Sequence, residues 1–339
     1  GLAGGFAFSP DTSTVLISSD KSGVFNVYDI DTDKGTSSAL TNSTTNATLP
    51  ISYFPSDSRI LYTFDAGGNE LNHVYVREEN GETQDLTPGE NLKAAFLGWS
   101  GDGATFYLST NERDSKNFDL YKYDAVTYER ALVFENDGFG LGAVSRDGRW
   151  LGLSKSRTSA DSDVYIVDLS TPEKEAVLIT EHEGNIAHGV YDFTPDSTAL
   201  VYETNEFGEF NQAWRYDLAS GEKSPLLQKD WDVSFVTYSA SGRYQIAAIN
   251  EDAKRSLIVR DLSTDSDVQL PSFPSGNVVS VRFAADDSKV AFLINGSTQP
   301  SNVYVGAINS EDAKALTDAL NPEIDQTQLV QAEVIRYPS

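Results

Sequence analysis

Short runs of alternating apolar and polar residues, separated by turn-forming clusters, fill this chain. In the stretch 94–133, Leu120-Tyr121-Lys122-Tyr123 alternates with period two, β-branched and aromatic residues are enriched, and Ser100-Gly101-Asp102-Gly103 supplies hairpin residues that tolerate positive φ. A period of two sends successive side chains to opposite faces of a sheet, so strands are predicted at about 94–99, 104–110, 118–123 and 128–133. No segment of this kind keeps a 3.6-residue period over ten residues, which argues against helices.

The pattern returns at a fixed step. An aromatic, apolar or small residue leads into a turn centred on Asp or Ser at Phe8-Ser9-Pro10-Asp11, Phe54-Pro55-Ser56-Asp57, Trp99-Ser100-Gly101-Asp102, Val144-Ser145-Arg146-Asp147, Thr194-Pro195-Asp196, Ser239-Ala240-Ser241 and Ala284-Ala285-Asp286. The turn residues 11, 57, 102, 147, 196, 241 and 286 stand 45, 46 or 49 residues apart. Two further landmarks keep that step. A strand ends at Asp29, Asp124, Asp168, Asp217 and Asp261, with Arg77 and Gly306 replacing Asp in the second and seventh copies. Leu40-Thr41, Leu86-Thr87, Ile179-Thr180 and Leu316-Thr317 close units, with Leu132, Leu226 and Leu270 as weaker versions.

Four strands in about 45 residues, repeated seven times, describe an all-β, seven-bladed β-propeller with four antiparallel strands per blade. The blades fall at about 1–41, 42–87, 88–133, 134–180, 181–227, 228–270 and 271–317, followed by an exit segment, 318–339. The first unit opens on its own inner strand and the seventh ends on its own outer strand. The ring is therefore expected to close by packing, without a shared blade.

Composition narrows the function. The chain has 25 Lys+Arg and 51 Asp+Glu, a net charge of −26. Such a surface repels phosphate, so nucleic acid and anionic membrane are poor partners, and no apolar run reaches the length of a spanning helix, so no membrane insertion is expected. Cysteine is absent, which removes disulfides, a thiol nucleophile and Cys-ligated metals. That absence is compatible with either redox compartment, and with the acidity it favours a periplasmic or secreted setting slightly over the cytoplasm. The start, Gly1-Leu2-Ala3-Gly4-Gly5, lacks the layout of a signal peptide. Methionine is absent too, which suggests a chain processed or excised from a longer one.

Candidate chemistry is sparse. A hydrolase elbow needs Gly-x-Ser-x-Gly, and Gly98-Trp99-Ser100-Gly101-Asp102 fails at its last position and occupies a repeated turn. No catalytic, metal or cofactor set is assigned. His182 and His188, flanking Glu183, read as solvated loop residues, and His73 as a hydrogen-bonded structural residue. The turn aspartates read as Asx-turn formers. One pattern is less uniform: Asn69-Glu70, Asn111-Glu112-Arg113, Asn205-Glu206 and Asn250-Glu251 all stand where a second strand passes into a third. Equivalent loops share one face of a propeller, which predicts an acidic rim. In one reading Asn accepts left-handed turn geometry and Glu keeps the loops soluble. In the other, these residues meet a cationic peptide terminus or another domain.

A WD-repeat propeller does not fit, because Trp231-Asp232, the single Trp-Asp pair, precedes an inner strand. The Ser-Pro-Asp-type turns resemble those of TolB-like proteins and of the prolyl oligopeptidase family of serine peptidases. Asn321-Pro322-Glu323-Ile324 and Glu333-Val334-Ile335-Arg336-Tyr337-Pro338-Ser339 resemble the peptidase junction, where a strand enters the hydrolase domain. Segments 67–77 and 110–121 resemble that family's second and third blades. The resemblance implies a propeller that caps a C-terminal α/β-hydrolase domain of the same polypeptide, with a Ser-Asp-His triad beyond Ser339 and short peptides as substrates. The competing expectation is a non-enzymatic TolB-like scaffold for a protein or peptide partner. A propeller lyase or glycosidase would need a carboxylate or His/metal cluster at the channel mouth.

Overall fold

The computed structural model describes residues 2–336. Its strands form seven four-stranded antiparallel sheets, and in every sheet they pair in chain order. The inner strands are Leu2–Phe8, Leu49–Tyr53, Ala94–Trp99, Gly140–Val144, His188–Phe193, Asp232–Tyr238 and Asn277–Phe283. Blade one is completed by Thr14–Ser19, Asn26–Asp31 and Ser37–Ala39, and blade seven by Val290–Gly296, Gln299–Gly306 and Lys314–Ala315. Among the described residues no strand is shared across the ring, as expected. Blade three runs Ala94–Trp99, Thr105–Asp114, Asn117–Asp124 and Arg130–Phe134, so its middle hairpin is longer than the pattern predicted.

Each repeated landmark has a hydrogen-bonding cause. In the first turn the Asp carboxylate accepts the N–H two residues on: Ser13 to Asp11 (3.1 Å), Arg59 to Asp57 (3.0 Å), Ala104 to Asp102 (3.0 Å) and Ser288 to Asp286 (2.9 Å). These are the expected Asx turns. In the third-strand landmark, Asp124, Asp168, Asp217 and Asp261 cap the following turn the same way. Blade one corrects the sequence register: Asp31, not Asp29, accepts from Asp33 and Lys34 and pairs with Thr14 as Asp124 pairs with Thr105. In the Leu-Thr landmark, the Thr hydroxyl accepts the third-strand N–H, Val27 to Thr41, Val74 to Thr87, Val164 to Thr180 and Val303 to Thr317, at 2.8–3.0 Å. Blade three departs from this: Phe134 is the buried closing residue and Leu132 is exposed.

Apolar side chains form one cluster per seam between blades, so no blade owns a core. Leu16 and Val27 of blade one meet Tyr53 and Ile60 of blade two. Phe6, Phe8 and Tyr28 meet Leu293, Val303 and Val305 of blade seven and close the ring. Chain-order pairing fixes two faces. The hairpins between second and third strands and the connections between blades lie on one, the hairpin face. The Asp turns lie on the other, the turn face. The exit segment leaves on the hairpin face and forms one 3-10 turn, Gln326–Gln328. No strand forms over 331–336, and the rest of the expected strand, 337–339, lies outside the described residues.

Candidate functional site

Topology puts the predicted rim residues on the hairpin face, but their side chains do different jobs. Asn111 and Asn205 do not adopt left-handed geometry. Their side-chain oxygens accept the N–H of Lys93 (2.7 Å) and Ala187 (2.9 Å), sealing the entrance of their own inner strands. Left-handed φ falls instead on Glu70, Asp252 and Ala253. Asn69 accepts from the Leu71 N–H at 3.0 Å, and Asn250 is exposed at the end of its strand. Arg113 stays partly in solvent, but its guanidinium is engaged within its own blade. It forms a bidentate pair with the fully buried Asp119 (2.7 and 2.8 Å) and donates to the Asn136 carbonyl at 2.8 Å. Glu112 is neutralised by Arg130 at 2.8 Å. Glu70 and Glu251 form no ion pair among the described residues, although Lys254 stands opposite Glu251 in the hairpin register and lines the same cleft.

A second group was not read from the sequence. His182 and His188, expected in solvent, have buried side chains whose rings meet in a tilted contact, 4.8 Å between centroids, in the seam of blades four and five. His188 opens the inner strand of blade five, where its backbone N–H donates to Ser162 of blade four at 2.9 Å. Around the pair stand Arg157, Asp161, Asp163 and Glu206, with Arg157 paired to Asp161 at 3.0 Å and Glu206 at 3.6 Å from the His188 Nε2. Arg157 holds Asp161 below the usual carboxylate range, and burial pulls His188 below the usual imidazole value. The legible signal was Arg157-x-x-x-Asp161-x-Asp163, which occupies blade four's copy of the hairpin that carries Glu112 in blade three. Among the described residues no group of three or more His, Asp and Glu could hold a metal ion.

The exit segment lies over this face. The Ala332 N–H donates to Ser297 in blade seven's hairpin at 3.0 Å, Arg336 pairs with Asp252 in blade six's hairpin, and Glu251 lines a cleft with Ala332, Glu333 and Val334. On the turn face, Arg146 of blade four donates to the carbonyls of Ser239 (2.6 Å) and Ala240 (2.7 Å) in blade six, bypassing blade five. A side chain thus ties the turn-face ends of blades four and six together over blade five. Ser100 donates to Asp102 at 2.6 Å inside its Asx turn, with no histidine partner.

The family model described as the N-terminal β-propeller domain of prolyl oligopeptidase matches residues 48–319. Dipeptidyl aminopeptidase BIII of Pseudoxanthomonas mexicana is 28% identical over 231 residues, covering 65% of this chain and 32% of that relative. A prolyl endopeptidase of Elizabethkingia miricola is 24% identical over 277 residues, covering 74% and 37%. A puromycin-hydrolyzing peptidase of Mycobacterium tuberculosis has the same fold, with a TM-score of 0.72 at 12% identity over 97% of this chain and 55% of that one. The chain spans about a third of the length of the curated relatives it matches.

Proposed function

The chain belongs to the prolyl oligopeptidase N-terminal β-propeller family, and from that premise we propose that it is the substrate-gating propeller of a serine peptidase. In this reading an α/β-hydrolase domain follows residues 318–339, docks on the hairpin face and hydrolyses short peptides with a Ser-Asp-His triad. The propeller restricts entry to short or unstructured peptides, as a lid restricts an active site.

The observation that carries the reading is the course of the exit segment. It is held on the hairpin face, where Val334 and Ile335 leave apolar surface exposed beside Glu251. A docking domain would cover that surface. Glu70 and Glu251, with Glu206, would draw a peptide's ammonium end toward the same face.

Two measurements test this. A fluorophosphonate probe should leave the propeller chain unlabelled, and labelling would place a reactive serine within it. Reversing charge with Glu206→Lys and Glu251→Lys should weaken short-peptide binding or hydrolase docking several-fold. Unchanged affinity in both assays would remove the rim from the function.

A further inference from the structure

Arg77 breaks the repeat. At this position five blades carry Asp31, Asp124, Asp168, Asp217 or Asp261, each capping the turn that follows its third strand. Blade two builds its turn without such a cap. Glu78 donates to the Glu82 carbonyl (2.8 Å), Gly81 to the Glu78 carbonyl (2.9 Å), and Glu82 to the Asn80 side chain (2.9 Å). Arg77 is left with one long hydrogen bond, to the Glu78 carbonyl at 3.4 Å, and no carboxylate partner among the described residues. In a chain with twice as many acidic as basic residues, a half-buried guanidinium without an ion pair needs a reason.

Arg77 lines a cavity of about 470 Å³ on the turn face, between blades one and two. Asp29 of blade one lines it too. Its carboxylate accepts one hydrogen bond, from the Ser38 N–H at 3.2 Å, and has no cation within ion-pair distance among the described residues. Tyr53 completes the lining, its hydroxyl 2.9 Å from that of Thr14. Burial first, and then the Asp29 charge, push the Tyr53 phenol up to about 12 while Arg77 opposes them, so both charged groups act on one hydroxyl. The cavity therefore holds Arg77 and Asp29, which form no ion pair with each other, beside Asp57, which is taken up by Arg59, and Asp11.

We propose that this cavity binds a small zwitterion, a free amino acid or dipeptide, whose carboxylate meets Arg77 and whose ammonium meets Asp29. The volume lies within the range of about 300–1,000 Å³ typical of small-molecule sites. A bidentate guanidinium–carboxylate pair supplies orientation. Asp11, committed to its Asx turn in the same lining, adds negative potential that disfavours an anion lacking an ammonium. The site lies on the face away from the rim, so it stands or falls independently of the gating role.

Calorimetric titration of the propeller with alanine and with glycylglycine tests it, using N-acetylglycylglycine and glycylglycinamide as charge-blocked controls. At least one free zwitterion should bind, and each block should weaken binding at least tenfold. Arg77→Gln should abolish discrimination against the amide, and Asp29→Asn discrimination against the acetylated form. Thermal unfolding should confirm that both variants fold, with Arg77→Lys retaining partial binding. The assignment is overturned if neither zwitterion binds, if the blocked forms bind as tightly as the free ones, or if both variants bind like the parent.

Discussion

Arg113 shows how far a single residue can be read from its neighbours in sequence. Placed in an Asn-Glu-Arg string on the rim, it looks available to a ligand, yet its guanidinium is spent on Asp119, which is completely buried. Removing it strands a buried carboxylate, so Arg113→Ala should lower the urea midpoint at unchanged slope. An unchanged midpoint would return Arg113 to the candidate binding residues. Asp168 allows a pH test. Arg149 first, and then Ser170, hold its folded pKa at about 2, below an unfolded value of about 3.9. Its contribution is therefore complete above about pH 5 and lost as pH falls toward 2. The stability gap between the parent and Asp168→Asn should be flat near neutrality and close over that window, and a pH-independent gap would contradict the assignment. The turn aspartates were legible because an Asx turn closes within three residues. The burial of His182 and His188 was not, because their partners Asp161 and Ser162 come from another blade.

At the level of strands and hairpins, the repeat was legible wherever one side chain does a local job. The Leu-Thr closure is an example: Thr180 accepts the Val164 N–H inside a protein-filled seam, and Ile179 packs beside it. Thr180→Val keeps the shape and leaves that N–H unpaired, which should cost about 1–2 kcal/mol in chemical unfolding. What was not legible is the pairing of one hairpin with the next connection. His188 lies in the join of blades four and five, and its folded pKa lies below the unfolded value of about 6.5. The stability it contributes is full above that value and declines as pH falls below it. Hydrogen exchange in Asp161–Asp168 and His188–Phe193, corrected for intrinsic rates, should therefore quicken between pH 7 and 5.5. His188→Gln should remove that pH response, and an identical response in the variant would exclude the imidazole as its source.

For the whole molecule, a fixed period of about 45 residues made the ring readable, because neighbour packing is the only way such units bury their faces. Closure by packing rests on the cluster joining Phe6 and Phe8 to Leu293 and Val305, and on Lys289, which donates to the Thr32 hydroxyl at 2.6 Å. The rim was only half readable: its position follows from strand order, but its charge pattern depends on partners such as Arg130 and His188 that folding brings in. The central claim is that the hairpin face receives a hydrolase domain. Lysine cross-linking of this propeller joined in one polypeptide to a family α/β-hydrolase domain tests it most directly. Lys21, Lys116 and Lys254 lie in or beside hairpin-face loops, and Lys34 and Lys174 in turn-face loops. The account expects inter-domain cross-links from the first group and none from the second, and cross-links concentrated on Lys34 and Lys174 would contradict it.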